Sequence, residues 1–388
     1  MQIHNTSQLA VIRRDKWLLS SLTWIPILLA VMIWAIFSQG IAQNLPVGVV
    51  NLDKGALSQQ LIRYYDATSS MAIQREYQSV SDAKQALVQG DIYAYAVIPY
   101  NFEQDTYKQL APQVSVFYNS QMILIGKLVN SAFLQAQGTF NAQLSTIGNL
   151  AQGNHHVLAS AMASAVPIRT QITPLFNKNS NYAQFLVSAV VPALWQIVIV
   201  VSTILILSAN LRDRGLKVWL QLQPFKSLLN TLLPYSWVFA LQGFAFLCWF
   251  YLGFKWPMNG SFVTLVFAQW VTIIACMIMG SLFFFLTLDA ARAMSFAGAF
   301  TAPSFAFMGI TFPVTDMSSL AQAWRALLPI SHYIEVQVSQ VSYGLPPMSS
   351  LQHLLPMLGY AVPLLMVMLL INKHLSIDSG LPQSKEQR

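Results

Sequence analysis

The chain has 388 residues, 55% of them hydrophobic and only 9% charged, against about 25% charged in a soluble domain, so it is not an ordinary globular protein. A net charge of +7 would suit nucleic acid, but the cations stand mostly in short loops beside apolar runs, where acidic lipid headgroups are their neighbours. The two cysteines, Cys248 and Cys276, both lie inside apolar runs and provide neither a disulfide framework nor a metal site.

These bounds predict an α-helical polytopic membrane protein, and hydropathy divides it. Residues 1–38 hold a cytoplasmic lead-in helix and a first transmembrane helix: Arg13, Arg14 and Lys16 precede the apolar run Trp17–Phe37, which is about long enough to cross a bilayer at 1.5 Å per residue. The basic flank places the N-terminus in the cytoplasm. A cleaved signal peptide is the alternative, but the run is long for a signal core and contains Trp24, Pro26 and Trp34.

Residues 39–182 carry polar and charged groups throughout and are expected to form an extracytoplasmic α/β domain with long helices. Strand signals at 47–51, 71–76, 94–99 and 114–118 alternate with helical ones at 57–65 and 81–90, the latter with Ser81 as N-cap and Gly90 as stop. Crossover helices need a sheet face on which to bury their apolar stripes, so alternation over this length indicates a domain rather than a linker. From Gln121 to about Ala165 an Ala/Gln/Leu/Ser-rich stretch without proline predicts a long helix or a broken pair. His155-His156 is no metal site, because adjacent helical residues point about 100° apart and no further ligand lies nearby.

Residues 183–373 read as a five-helix transmembrane block, with spans at 182–207, 235–254, 262–288, 293–312 and 354–371. Residues 374–388 form a cytoplasmic tail, giving six transmembrane helices with both ends inside. The cytoplasmic loop 209–234 carries Arg212, Asp213, Arg214, Lys217 and Lys226, with Arg212 and Asp213 as an opposite-charge pair. Its apolar residues Val218, Leu220, Leu222, Phe225, Leu228, Leu229 and Leu232 recur at near-helical spacing, which predicts a helix lying in the interface. Outward-facing residues 313–352 are too apolar to float free, and read as interfacial helices broken at Pro329. Arg325, His332 and Glu335 are their polar groups, expected at the interface, with His332 and Glu335 a local pair one turn apart. This region is expected to be an outer gate carried by Phe312, Pro313, Trp324, Pro329, His332, Tyr333 and Glu335.

The chain has no phosphate-binding G-x-x-x-x-G-K-[ST] loop and no acid near the middle of a span, so neither nucleotide hydrolysis nor an intramembrane proton relay is expected of it. It is not expected to be an enzyme. A scaffold of this kind does mechanical work only when a partner drives it.

Arg212-Asp213-Arg214-Gly215-Leu216 with Pro224 resembles the R-E-x-G-T loop and following proline of type-2 ABC exporter permeases, with Asp for Glu and Leu for Thr. Arg14-Asp15-Lys16-Trp17 with Pro26 is similar to that family's lead-in helix and first span. Val49–Asp53, Ile98-Pro99 with Phe102, and Val114–Asn119 resemble the outer domain of its bacterial branch. Leu175-Phe176-Asn177 through Pro192 resembles the approach to the second span, and Phe312-Pro313, Met317, Pro329 and His332-Tyr333 the motif between the last two. The resemblance implies a permease subunit in the bacterial inner membrane, paired with a second permease as homodimer or heterodimer and driven by cytoplasmic ABC ATPase subunits. ATP and Mg would sit on the ATPase, and no cofactor or metal on this chain. Arg14, Asp15, Arg212, Asp213, Gly215 and Pro224 would couple to it. A periplasmic adaptor and an outer-membrane channel are further implied partners, with drug-like or lipid-like amphiphiles exported outward. The alternative is a non-transport surface or receptor protein sharing the outer domain.

Overall fold

The computed structural model describes residues 8–38, 43–108, 110–121, 123–151, 181–220 and 223–379. His155, His156, Leu222, the far end of the long helix expected after Gln121, the approach at 175–177 and the tail from 380 lie outside the described residues. The chain divides into two compact units, one formed by Met1–Gly40 with Pro174–Arg388 and the other by Ile41–Thr173.

The first unit begins with three short helices, α1 (Gln8–Arg14), α2 (Lys16–Leu22) and α3 (Trp24–Phe37). Asp15 separates α1 from α2 and caps the latter, its carboxylate accepting from the Trp17 and Leu18 amides, both at 3.1 Å. At Thr23 the chain bends by 47° between α2 and α3. The cause is Pro26, which has no N–H to donate to the Leu22 carbonyl four residues earlier. Gln242 Nε2 donates to that carbonyl instead, at 2.8 Å.

The second unit contains β1 (Leu45–Asn51), α4 (Ala56–Asp66), β2 (Met71–Tyr77), α5 (Val80–Gln89), β3 (Ala94–Ile98), α6 (Phe102–Tyr107), β4 (Ser115–Tyr118) and α7 (Ile123–Ala151). Its four-stranded sheet has the order β2-β1-β3-β4, with β1 parallel to both neighbours and β4 antiparallel to β3. Period-two alternation gives each face its own core. Val47, Val49, Ala94 and Ala96 face α4 and α7, whereas Val50 and Tyr95 face α5. Ser79, rather than the expected Ser81, caps α5: its extended backbone leaves the hydroxyl free to accept from the Asp82 amide at 3.1 Å. Gly90 ends α5 at φ +84°.

The first unit resumes with α8 (Tyr182–Arg214), α9 (Leu216–Leu220), α10 (Pro224–Leu247, prolonged by a π turn at Cys248–Gly253), α11 (Phe262–Thr287), α12 (Ala290–Thr301), α13 (Ser304–Phe307), α14 (Ser319–Ala326), α15 (Pro329–Val341), α16 (Pro347–Leu351) and, after a 3₁₀ segment at Gln352–Tyr360, α17 (Ala361–Ser379). Among the described residues four helical stretches are long and apolar enough to cross a membrane, Ala183–Arg214, Pro224–Gly253, Phe262–Thr287 and Pro347–Ser376. The bent pair α2–α3 brings the number to as many as five. The run 293–312, expected to be one span, is divided: α12 ends at Thr301, and α13 is a single turn beginning after Pro303. Proline at the junction withholds the amide that would continue the ladder.

The interface helix expected across 211–234 is also two pieces. Gly215, at φ +72° and ψ 156°, stops α8 and turns the chain into α9. Trp219 and Leu220 of α9 are buried, with Trp219 Nε1 donating to Thr231 at 2.9 Å. From Pro224 onward the segment is already the first turns of the spanning helix α10. The apolar periodicity thus serves packing within the unit, while Val218, Phe225 and Leu229 remain exposed. Helices α8 and α11 touch at Gly280, where a Cβ would lie 2.8 Å from the Val200 carbonyl oxygen.

Candidate coupling contacts and a buried polar cluster

The sequence places the candidate coupling residues far apart, and the fold brings most of them together. Arg212 Nη2 donates to Asp15 Oδ2 at 2.9 Å, tying the end of α8 to the α1–α2 junction. This corrects the expected pairing of Arg212 with Asp213, since neighbours on a helix diverge by about 100°. Asp213 is exposed and makes no ion pair among the described residues. Burial alone would raise the Asp15 carboxyl. The Leu18 N–H, the hydrogen bond and charge of Arg212, and the Trp17 N–H outweigh it and hold the group below its ordinary 3.8. Arg14, exposed in the last turn of α1, complements that helix's dipole. Gly215 supplies the turn, and Pro224 occupies the first position of α10, where a missing N–H costs nothing.

A second tie between the same elements gave no sequence signal. Gln8 of α1 donates to Asn210 Oδ1 at 3.1 Å and accepts from the Tyr235 hydroxyl at 3.1 Å. Asn210 is fully buried, with its amide also on the Ile206 carbonyl at 2.8 Å. One glutamine therefore joins the lead-in helix to α8 and α10. At the same end, His374 Nε2 lies 2.9 Å from the Phe285 carbonyl and Trp219 stacks on Phe285. The ends of α8, α11 and α17 and the starts of α2 and α10 meet there; with α1 and α9 they carry Arg13, Arg14, Lys16, Arg212, Arg214, Lys217, Lys226 and Lys373, most of the described cations of the first unit.

The expected gate residues fall into two groups. Phe312, Pro313 and Trp324 are exposed, Trp324 tilting against Phe300 at 6.3 Å. Pro329, His332 and Tyr333 are buried, because α15 is a core helix packed against α11, α8 and the 3₁₀ segment. Pro329 begins this helix rather than breaking it. Gln196, fully buried in α8, caps its start, its Oε1 accepting from the Ile330 amide at 2.9 Å while its Nε2 donates to Ser304 at 3.0 Å. Gln337 donates to the Ser188 carbonyl at 2.8 Å, the group that Pro192 leaves without its usual amide. Tyr333 is fully buried, its hydroxyl 3.4 Å from Gln269 Nε2.

Two of the three polar groups of this region, Arg325 and His332, are buried, not interfacial as expected, and Glu335 is half-buried. Arg325 and His332 retain 8% and 3% of their exposure. Glu335 pairs with Arg325 at 2.7 Å and faces His353 Nδ1 at 3.5 Å, in place of the expected His332. His332 Nε2 instead lies 3.0 Å from the Ala326 carbonyl, closing the end of α14. In a largely apolar core a lone carboxylate is costly, and proximity to a guanidinium offsets that cost. His353 could have been suspected only from its place just before the last apolar run.

Helices of crossing length, proline-freed carbonyls met by glutamine amides and an ion pair closing one end define a polytopic helical membrane protein. A family model described as ABC-2 family transporter protein matches residues 16–370. The chain belongs to that family: it is a multi-pass membrane permease of an ABC transporter, and membership implies a separate ABC ATPase subunit as partner. No curated protein matches the chain.

Proposed function

We propose that this permease is the membrane half of an ATP-driven exporter of the branch with an enlarged outer domain, moving hydrophobic or amphipathic molecules outward across the bacterial inner membrane. The unit Ile41–Thr173 would stand outside the cytoplasm and both chain ends inside, because most of the first unit's described cations gather at the end closed by Asp15 and Arg212. Six passes follow from counting α12 with α13 as a broken crossing. Two permeases form the transport unit, as homodimer or heterodimer. Two ATPases carrying ATP and Mg dock beneath, and a periplasmic adaptor and outer-membrane channel extend the path.

The observation that carries this reading is the double tie of α1 to the inner ends of α8 and α10, through Arg212–Asp15 and through Gln8 with Asn210 and Tyr235. A push on Arg14, Asp15, Arg212, Asp213, Gly215 or Pro224 would reach three helices as one rigid body. At the far end, the buried α15 and the exposed Phe312–Trp324 segment would open the exit. Copurification should recover an ABC ATPase, and the reconstituted complex should hydrolyse ATP faster with transported amphiphile. Asp213→Ala and Arg212→Ala should insert normally yet lose most of that stimulation. A chain that copurifies with no ATPase and shows no ATP-dependent transport would return the reading to a surface or receptor protein.

A further inference from the structure

One cavity lies against the Arg325–Glu335 ion pair, and its wall is chemically uneven. It has a volume of about 470 Å³, within the range of sites that enclose a drug-sized or single-chain molecule. Most of its lining is apolar, from Phe185, Trp256, Ile310 and Val338 among others. Its polar residues include Arg325, Glu335 and His353. Gly309, at φ +87°, lets the backbone pass close to Arg325, whose Nε would be 3.6 Å from a Cβ at that position.

Two polar groups on this wall lack partners. Arg325 Nε and the Tyr251 hydroxyl are both buried without a hydrogen bond, and each residue keeps only 8% of its exposure. A buried N–H or O–H left unpaired costs about 1–3 kcal/mol, and a ligand acceptor that met these two would offset that cost. Both groups can donate. The acid of the cluster is already met, with Arg325 on one oxygen and His353 near the other. A cationic head would find Glu335 answered, whereas an acceptor head that reached them would satisfy both unpaired donors, which lie just beneath the cavity surface.

We propose that this cavity, within a single permease subunit, binds a single-chain amphiphile with an anionic acceptor head such as a carboxylate. The head lies toward Arg325 and Tyr251, and the tail lies along Phe185, Trp256, Ile310 and Val338. The proposal rests on the export reading only in treating the bound molecule as transported cargo; the binding itself requires no ATPase.

The test uses the full chain in phosphatidylcholine nanodiscs, with a fatty acid carrying a mid-chain diazirine as photoprobe. Adducts should map to the segments containing Phe185, Trp256, Ile310 and Val338. Dodecanoate should compete at least about tenfold better than dodecanol or dodecyltrimethylammonium, as expected for a charge-assisted hydrogen bond. Tyr251→Phe, which removes one oxygen and keeps the shape, should erode that preference several-fold. Val338→Trp, which fills the cavity, should abolish labelling in protein that still elutes as wild type. Adducts confined to other segments, an ammonium as potent as the carboxylate, or an unchanged preference in Tyr251→Phe would overturn the proposal. Protection by phosphatidylglycerol as strong as that by dodecanoate would overturn its single-chain form. Selective binding without ATP-driven transport would leave this site standing and remove the export reading; transport without selective binding would do the reverse.

Discussion

Asp15 performs two tasks with one carboxylate, and substitutions can separate them. Asn also caps helices well, so Asp15→Asn should keep α2 while removing the ion pair with Arg212. Because Arg212 is largely exposed, the pair should contribute no more than about 1 kcal/mol to stability. Asp15→Ala loses the cap as well and should cost about 1 kcal/mol more by thermal unfolding in detergent. The native carboxyl titrates below its ordinary 3.8. Its contribution is therefore fully present above the unfolded value and lost as pH falls through the folded one. Wild type and Asp15→Asn should accordingly differ in stability at neutral pH and converge under strongly acidic conditions. A difference that persists unchanged into strong acid would disconnect the pair from stability. The sequence made both residues visible and hid their partnership: Arg212 has an acid beside it at 213, and its true partner is 197 residues away.

At the scale of elements, prolines inside the helices of the first unit free carbonyls, and glutamines from other helices answer two of them. Pro26 frees Leu22 for Gln242, and Pro192 frees Ser188 for Gln337. In an apolar interior no water replaces a lost partner, so Gln337→Leu should destabilise by about 1–3 kcal/mol. In a Pro192→Ala background residue 192 regains an N–H for the Ser188 carbonyl, and the same substitution should then cost distinctly less. A double-mutant cycle by chemical or thermal unfolding reads the difference; additive costs would mean that Gln337 acts elsewhere. Gly215→Ala should strain the α8–α9 turn by about 1–3 kcal/mol, since φ +72° with ψ 156° is glycine territory. The prolines were legible one by one. Their partners were not, because a glutamine in an apolar run carries no period that names the helix it faces. For the same reason this region read as interfacial: Arg325, His332 and Glu335 call for water until Arg325 is found on Glu335 and His332 on the Ala326 carbonyl.

At the scale of the whole molecule, the sequence resolved the α/β unit better than the membrane unit. Period-two strands alternating with capped helices name their elements locally, and the strands expected at 71–76 and 94–99 stand as Met71–Tyr77 and Ala94–Ile98. The order β2-β1-β3-β4 was beyond reach, because pairing depends on which apolar faces meet. The membrane unit is apolar almost throughout, and hydropathy there cannot distinguish a span from a buried helix such as α15. The difference has a consequence for folding. The sheet of Ile41–Thr173 is covered on one face by α4 and α7 and on the other by α5, so each apolar face is buried within the unit itself. Tyr65 Oη donates to Gln137 at 2.6 Å and Tyr64 meets Gln143, holding α7 to α4 by polar as well as apolar contacts. A fragment spanning residues 41–173, expressed without the membrane unit, should therefore be soluble, show a mixed α/β circular dichroism spectrum and unfold in one cooperative transition. Phe133→Ala, which removes a buried ring packed edge-on to Tyr65, should lower its stability by about 3–5 kcal/mol. A fragment that stays unfolded whatever its exact ends, or a Phe133→Ala variant as stable as the parent, would show that the unit depends on the rest of the chain.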